Sequence, residues 1–71
     1  MNTRTLEYII SVYETKRFIT ASERCFVSQP ALSMQIKKFE EYIGVQIFER
    51  GSKQVLITKR GIKIINQAYK I

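Results

Sequence analysis

The amino-acid sequence predicts a mainly α-helical domain: a three-helix core, a short β-hairpin and one further helix at the C-terminal end. Three observations carry this. Apolar residues recur at helical spacing in two separate segments, and the run from Thr20 to Ser33 reads as two helix starts divided by one tight turn. After Gly44 that periodicity gives way to two short β-prone runs.

The first helix rests on Leu6, Ile9, Ile10 and Tyr13, spaced i, i+3, i+4 and i+7, with Thr5 or Thr3 as its N-cap. It should stop near Thr15-Lys16-Arg17, where the apolar spacing lapses and positive charge meets the negative helix end. Thr20 and Glu23 have the spacing of a capping box, which predicts a second helix beginning at Ala21. That helix is short, because Ser28 offers a new N-cap and Pro30 fits only a first turn, where no intrahelical N–H is required. A third helix over residues 28–43 buries Leu32, Ile36, Phe39 and Ile43 and ends at Gly44, which can adopt the left-handed conformation. Its outward side carries Gln29, Pro30, Ser33, Met34 and Lys37.

Residues 47–50 and 55–57 read as the two strands of a small hairpin around 51–54, stable only if packed on the helices. Thr58 then caps a fourth helix. Its apolar residues Ile62, Ile64, Ile65, Ala68, Tyr69 and Ile71 cover more circumference than one core face needs, with Ile62, Ile65 and Tyr69 on one side and Ile64, Ala68 and Ile71 on another. The surplus implies a partner helix. Taken together, three helices, a wing and an outgoing helix describe a winged helix-turn-helix, with residues 1–58 as its body and 59–71 as the outgoing helix.

Composition narrows the function. At 71 residues the chain is one domain, too small for a large substrate cleft. Twelve Lys and Arg against six acids give a net charge of +6, the footprint of a surface that meets phosphate. The sequence has no His, no Asp and one cysteine, so neither a metal cluster nor a His-based triad can be assembled, and an enzyme is not expected. No cofactor is expected either. Cys25 reads as a small structural group rather than a redox centre. With no membrane-length apolar stretch and no signal-type start, the chain reads as cytoplasmic and without a membrane partner.

The residues Phe18-Ile19-Thr20-Ala21, Val27-Ser28-Gln29-Pro30-Ala31-Leu32-Ser33, Gln35-Ile36-Lys37-Lys38-Phe39-Glu40, Gly44-Val45, Phe48-Glu49-Arg50 and Leu56-Ile57-Thr58 with Gly61 occur in an order and spacing that resemble the LysR-type transcriptional regulators. Within that family, Cys25 with Val27-Ser28-Gln29-Pro30, and Ser52-Lys53-Gln54-Val55-Leu56, are similar to the peroxide-responsive OxyR branch. The resemblance implies a DNA-binding domain whose third helix enters the major groove N-terminus first. It also implies a homodimer through the fourth helix, with residues 59–71 as the start of a linker and dimerisation helix. Family members continue into an effector-sensing domain, which is absent from these residues, so no small-molecule effector site is expected here.

On that resemblance the residues take roles that their chemistry supports. Thr20 and Ser28, with the N–H groups at the helix starts, suit phosphate oxygens; Gln29 suits adenine, Ser33 several base edges, and Pro30 an apolar contact. Lys37 reaches guanine or phosphate. Met34 stands where many members place Arg and can touch a thymine methyl but cannot pair bidentately with guanine. Arg50 and Lys53 flank a Gly-Ser turn suited to the minor groove or its phosphates, although Arg50 could instead pair with Glu49 or Glu41. Thr3, Arg4 and Lys59 are further candidates for backbone contacts. Two other readings stay open: a truncated relative that pairs with an intact regulator or is a non-functional remnant, and a basic protein that coats nucleic acid or an acidic membrane without preference.

Overall fold

The computed structural model describes residues 3–51 and 54–70, so Lys53 and Ile71 of the sequence reading lie outside the described residues. The order is α1 (Thr3–Thr15), α2 (Phe18–Arg24), α3 (Gln29–Ile43), β1 (Phe48–Glu49), β2 (Leu56–Ile57) and α4 (Lys59–Tyr69). This is the mainly α, winged arrangement expected. Three helices enclose a core of Tyr8, Ile9, Val12, Ala21, Leu32, Ile36 and Phe39, which Ile47, Phe48, Val55 and Ile65 complete from the wing and from α4.

Helix α1 begins at Thr3 and buries Thr5, Tyr8, Ile9, Ser11 and Val12. The inward stripe is therefore rotated from the one expected: Leu6, Ile10 and Tyr13 are only half-buried, and Thr5 lies inside the helix instead of capping it. Tyr8 decides this orientation, because its large ring enters the core at 5 % exposure. The helix ends as its charge pattern suggests. Lys16 takes a left-handed φ of 62°, and its ammonium both bonds the Tyr13 carbonyl and lies 3.9 Å from the centre of the Tyr13 ring.

The second helix corrects the capping-box reading. It starts at Phe18, not Ala21, and its N-cap is Arg17, whose extended backbone makes no side-chain cap. Thr20 is thus a half-buried residue of the first turn. Phe18 packs against the core and meets Phe48 edge-on at 6.2 Å, so aromatic burial sets the helix start where a hydroxyl cap worth about 1 kcal/mol would have set it later. The turn into α3 passes through Phe26 at φ 58°, with the Val27 N–H bonded to the Ser22 carbonyl at 3.1 Å. Ser28 then caps α3 by accepting from the Ala31 N–H at 3.2 Å, and Gly44 closes it at φ 70°, both as expected.

The hairpin is shorter than the two runs suggested. Among the described residues Phe48 pairs with Ile57 and Glu49 with Leu56, in antiparallel register. The flanking backbone is committed elsewhere: Ile47 N–H goes to the Glu40 side chain and Val55 N–H to the Lys16 carbonyl. Thr58 caps α4, accepting from Gly61 N–H at 2.9 Å. Ile65 and Ala68, expected to face a partner, are buried in the domain's own interior. The apolar surplus on α4 shrinks to the exposed Ile62 and Tyr69, beside a half-buried Ile64.

Candidate nucleic-acid interface

Helix α3 divides cleanly. Leu32, Ile36, Phe39 and Glu40 are buried, and at its N-terminal half Gln29, Pro30, Met34 and Lys37 are exposed with Ser33 half-buried among them. The core residues therefore aim the others outward. Because Ser28 caps one N–H with its hydroxyl and Pro30 has none to offer, the start of α3 is fixed in place while the positive end of its dipole faces solvent. Ser28, Gln29, Pro30 and Ala31 are all exposed, so the helix start is open to a second molecule. Thr20 lies in the first turn of α2, which one turn joins to α3. Gln29, Pro30, Ser33, Met34 and Lys37 share α3 with its cap Ser28, and Thr20 stands on the neighbouring helix of the helix-turn-helix.

Arg50 behaves differently. Its guanidinium donates to Glu40 Oε1 at 3.2 Å, not to Glu49 or Glu41, and its Cζ lies 4.9 Å from the centre of the Phe18 ring. Glu40 Oε2 accepts from the backbone N–H groups of Ile47 at 2.8 Å and Phe48 at 3.1 Å. One buried carboxylate therefore joins α3 to the root of the wing and, through Arg50, to its edge. In the sequence Glu40 stands only as part of a motif. The signal was present: Ile36, Phe39, Glu40 and Ile43 share i, i+3, i+4, i+7 spacing, which places an acid on an apolar stripe.

A second polar cluster escaped the sequence reading because its members are far apart in the chain. Tyr69 donates to Glu14 Oε2 at 2.8 Å, Arg24 pairs with Glu14 Oε1 at 3.1 Å, and the Tyr69 ring meets Tyr13 edge-on at 6.2 Å. The Tyr69 hydroxyl, and then Arg24, hold the Glu14 carboxyl below its usual range, while Glu14 pushes the Tyr69 phenol up. This cluster ties α4 to α1 and α2. Among the described residues no group of His, Cys, Asp and Glu could hold a metal ion, and no helix is long and apolar enough to cross a membrane.

Residues 3–62 match the family described as bacterial regulatory helix-turn-helix protein, lysR family. The chain is 46 % identical over 68 residues to the DNA-binding transcriptional dual regulator OxyR of Escherichia coli, a match covering 96 % of this chain and 22 % of that protein. It is similar to full-length OxyR from Pseudomonas aeruginosa, at TM-score 0.92 and 44 % identity over 99 % of this chain and 23 % of that one. The DNA-binding domain of BenM, solved in complex with benA site 1 DNA, matches at TM-score 0.93 and 38 % identity, covering 99 % of this chain and 79 % of that one. These matched proteins are transcriptional regulators, not enzymes.

Proposed function

Because the chain belongs to the LysR family of bacterial regulatory helix-turn-helix proteins, we propose that it binds double-stranded DNA sequence-specifically in the regulation of transcription. The observation that carries the reading is the capped N-terminus of α3, held by four buried neighbours and presenting Gln29, Pro30, Ser33, Met34 and Lys37 outward. In the major groove Gln29 reads adenine and Ser33 reads its neighbour, while Pro30 and Met34 supply apolar contacts to thymine methyls. Thr20, Ser28 and Lys37 hold phosphates on either side of that helix, and Lys53 holds the backbone or minor groove near the wing. The match to a domain solved on DNA supports this placement.

The domain measures 26 × 24 × 20 Å, less than the ~34 Å that separates half-sites one helical turn apart. One copy therefore serves one half-site. A homodimer through the outer side of α4, centred on Ile62 and Tyr69, supplies the second, with residues 59–71 acting as the linker helix beyond the 1–58 body. The site of action is the bacterial cytoplasm, where the DNA is.

The chain spans 22 % of the length of the OxyR protein it matches, so this reading concerns the DNA-binding step. A titration of labelled duplex against unlabelled competitor tests it. Specific reading predicts a preference of about a thousand-fold or more for a selected sequence, whereas a non-specific coat predicts a few-fold at most.

A further inference from the structure

Arg50 stands at the edge of the wing, where a cation would ordinarily be assigned to a phosphate. Its surroundings give it another task. The guanidinium is held from one side by Glu40 at 3.2 Å and covered on another by the Phe18 ring at 4.9 Å, and about a third of the side chain is exposed (32 %). The Glu40 side chain, 10 % exposed, has no spare role, since one oxygen takes Arg50 and the other takes two wing-root N–H groups. Phe18 in turn meets Phe48, the residue whose N–H bonds Glu40. The four residues close a ring, through three side-chain contacts and the Phe48 backbone N–H, that passes through α3, β1, the wing edge and α2.

We propose that Glu40 and Arg50 are positioning residues for DNA binding, a strut that sets the wing against the recognition helix, and that Arg50 makes no phosphate contact of its own. The inference rests on the DNA-binding reading above and adds to it. Glu40 lies one helical turn beyond Lys37 on α3, so the same rigid helix that carries the reading face also carries the anchor of the wing. Two paired residues per strand are too few to orient a hairpin alone. A charged pair with a buried carboxylate, a half-buried guanidinium and two further backbone hydrogen bonds supplies the missing constraint, and Arg is suited to it because its planar fork can pair with a carboxylate while stacking on an aromatic face. The root and edge of the wing, from Ile47 to Arg50, are then held in a fixed place against the recognition helix.

The experiment uses the 71-residue chain and its Arg50→Met, Arg50→Lys, Glu40→Gln and Glu40→Gln/Arg50→Met variants, with Gln29→Ala as control. Affinity for a selected duplex is measured across a salt series and backbone protection is mapped by hydroxyl-radical footprinting at saturating protein. The strut predicts that Arg50→Met and Glu40→Gln each weaken binding about fivefold to tenfold and that the double variant is no weaker than the poorer single one. It predicts an unchanged salt slope for Arg50→Met, loss of wing-side protection with the α3 footprint retained, and no rescue by Arg50→Lys. In the free protein, amide exchange at Ile47 and Phe48 accelerates in Glu40→Gln. A phosphate contact predicts instead that Arg50→Met lowers the slope by about 0.9 and that Arg50→Lys restores binding, and either result overturns the strut. Unchanged exchange at Ile47 and Phe48 overturns it without reference to DNA. Wild-type protein that shows no sequence preference defeats the DNA reading separately.

Discussion

Gly61 of α4 lies directly against the backbone of Ile47: a Cβ placed on Gly61 would stand 2.5 Å from the Ile47 carbonyl oxygen and 2.8 Å from its Cα. The same carbonyl accepts the Thr58 N–H at 2.9 Å, and the Thr58 hydroxyl accepts from Gly61 N–H. The start of α4 is thereby seated on the root of the wing, and it can be seated only because residue 61 lacks a side chain.

Gly61→Ala is therefore destabilising. The alanine gains about 1 kcal/mol of helix propensity but forces backbone against backbone, an overpacking cost of up to about 3 kcal/mol, leaving a net loss near 2 kcal/mol. Urea denaturation should show a lower midpoint at unchanged slope. Gly44→Ala provides the contrast, since open space surrounds that position and only the left-handed φ of 70° is penalised, at about 1 kcal/mol.

Phe26 presents the reverse case, a bulky residue at φ 58° with 93 % of its surface exposed. Relief of the left-handed backbone is worth about 1–2 kcal/mol, against about 0.5–1 kcal/mol of added chain entropy for glycine. Phe26→Gly should thus stabilise the domain by about 0.5–1 kcal/mol, raising its thermal midpoint. A lower midpoint would mean that the ring packs in the folded domain.

The Glu14 and Tyr69 pair carries a pH signature. Because the Tyr69 hydrogen bond and then Arg24 depress the Glu14 carboxyl, its contribution is present above the unfolded carboxylate value and fades as pH falls through the lower folded one. Tyr69, raised by Glu14, contributes below the unfolded phenol value and loses that contribution as pH rises through the higher folded one. Tyr69→Phe should move the Glu14 carboxyl titration, followed by carbon NMR, upward toward the ordinary range. An unmoved midpoint would show that the hydroxyl does not hold the carboxylate in solution.

Pairing and folding separate on α4. Ile62→Glu charges an exposed residue (37 %) and should leave the thermal transition within about 0.5 kcal/mol of wild type while abolishing self-association in sedimentation. Ile65→Ala removes a side chain with 1 % exposure and should cost about 2–5 kcal/mol of stability. A wild-type chain that sediments as a monomer at tens of micromolar would contradict the dimer.

What the sequence disclosed, and what it hid, follow from the range of the forces involved. Ser28, Gly44 and Thr58 announce helix ends because a cap acts on N–H and C=O groups within four residues, a distance that a sequence displays. Thr20 and Glu23 display the same local signal, yet Phe18 overrides it by packing on Phe48, thirty positions away. The inward stripe of α1 was misplaced for a similar reason, as a tyrosine counts as amphipathic until the core that receives Tyr8 is known. The exposed side of α3 was legible, because the buried residues that aim it recur at helical spacing. The partners of Arg50 were not: Glu40 and Glu41 differ by one position in the chain but by 100° around the helix, and only the packed fold selects between them.

The central claim, that the N-terminal face of α3 reads base sequence, is tested most directly by selecting bound duplexes from a random pool with wild-type protein and with Gln29→Ala. The account predicts that the wild type enriches a defined half-site and that the variant loses preference at one adenine-containing position while keeping the rest, at a cost of about 1–3 kcal/mol there. A variant that weakens every sequence equally and enriches an unchanged motif would contradict it.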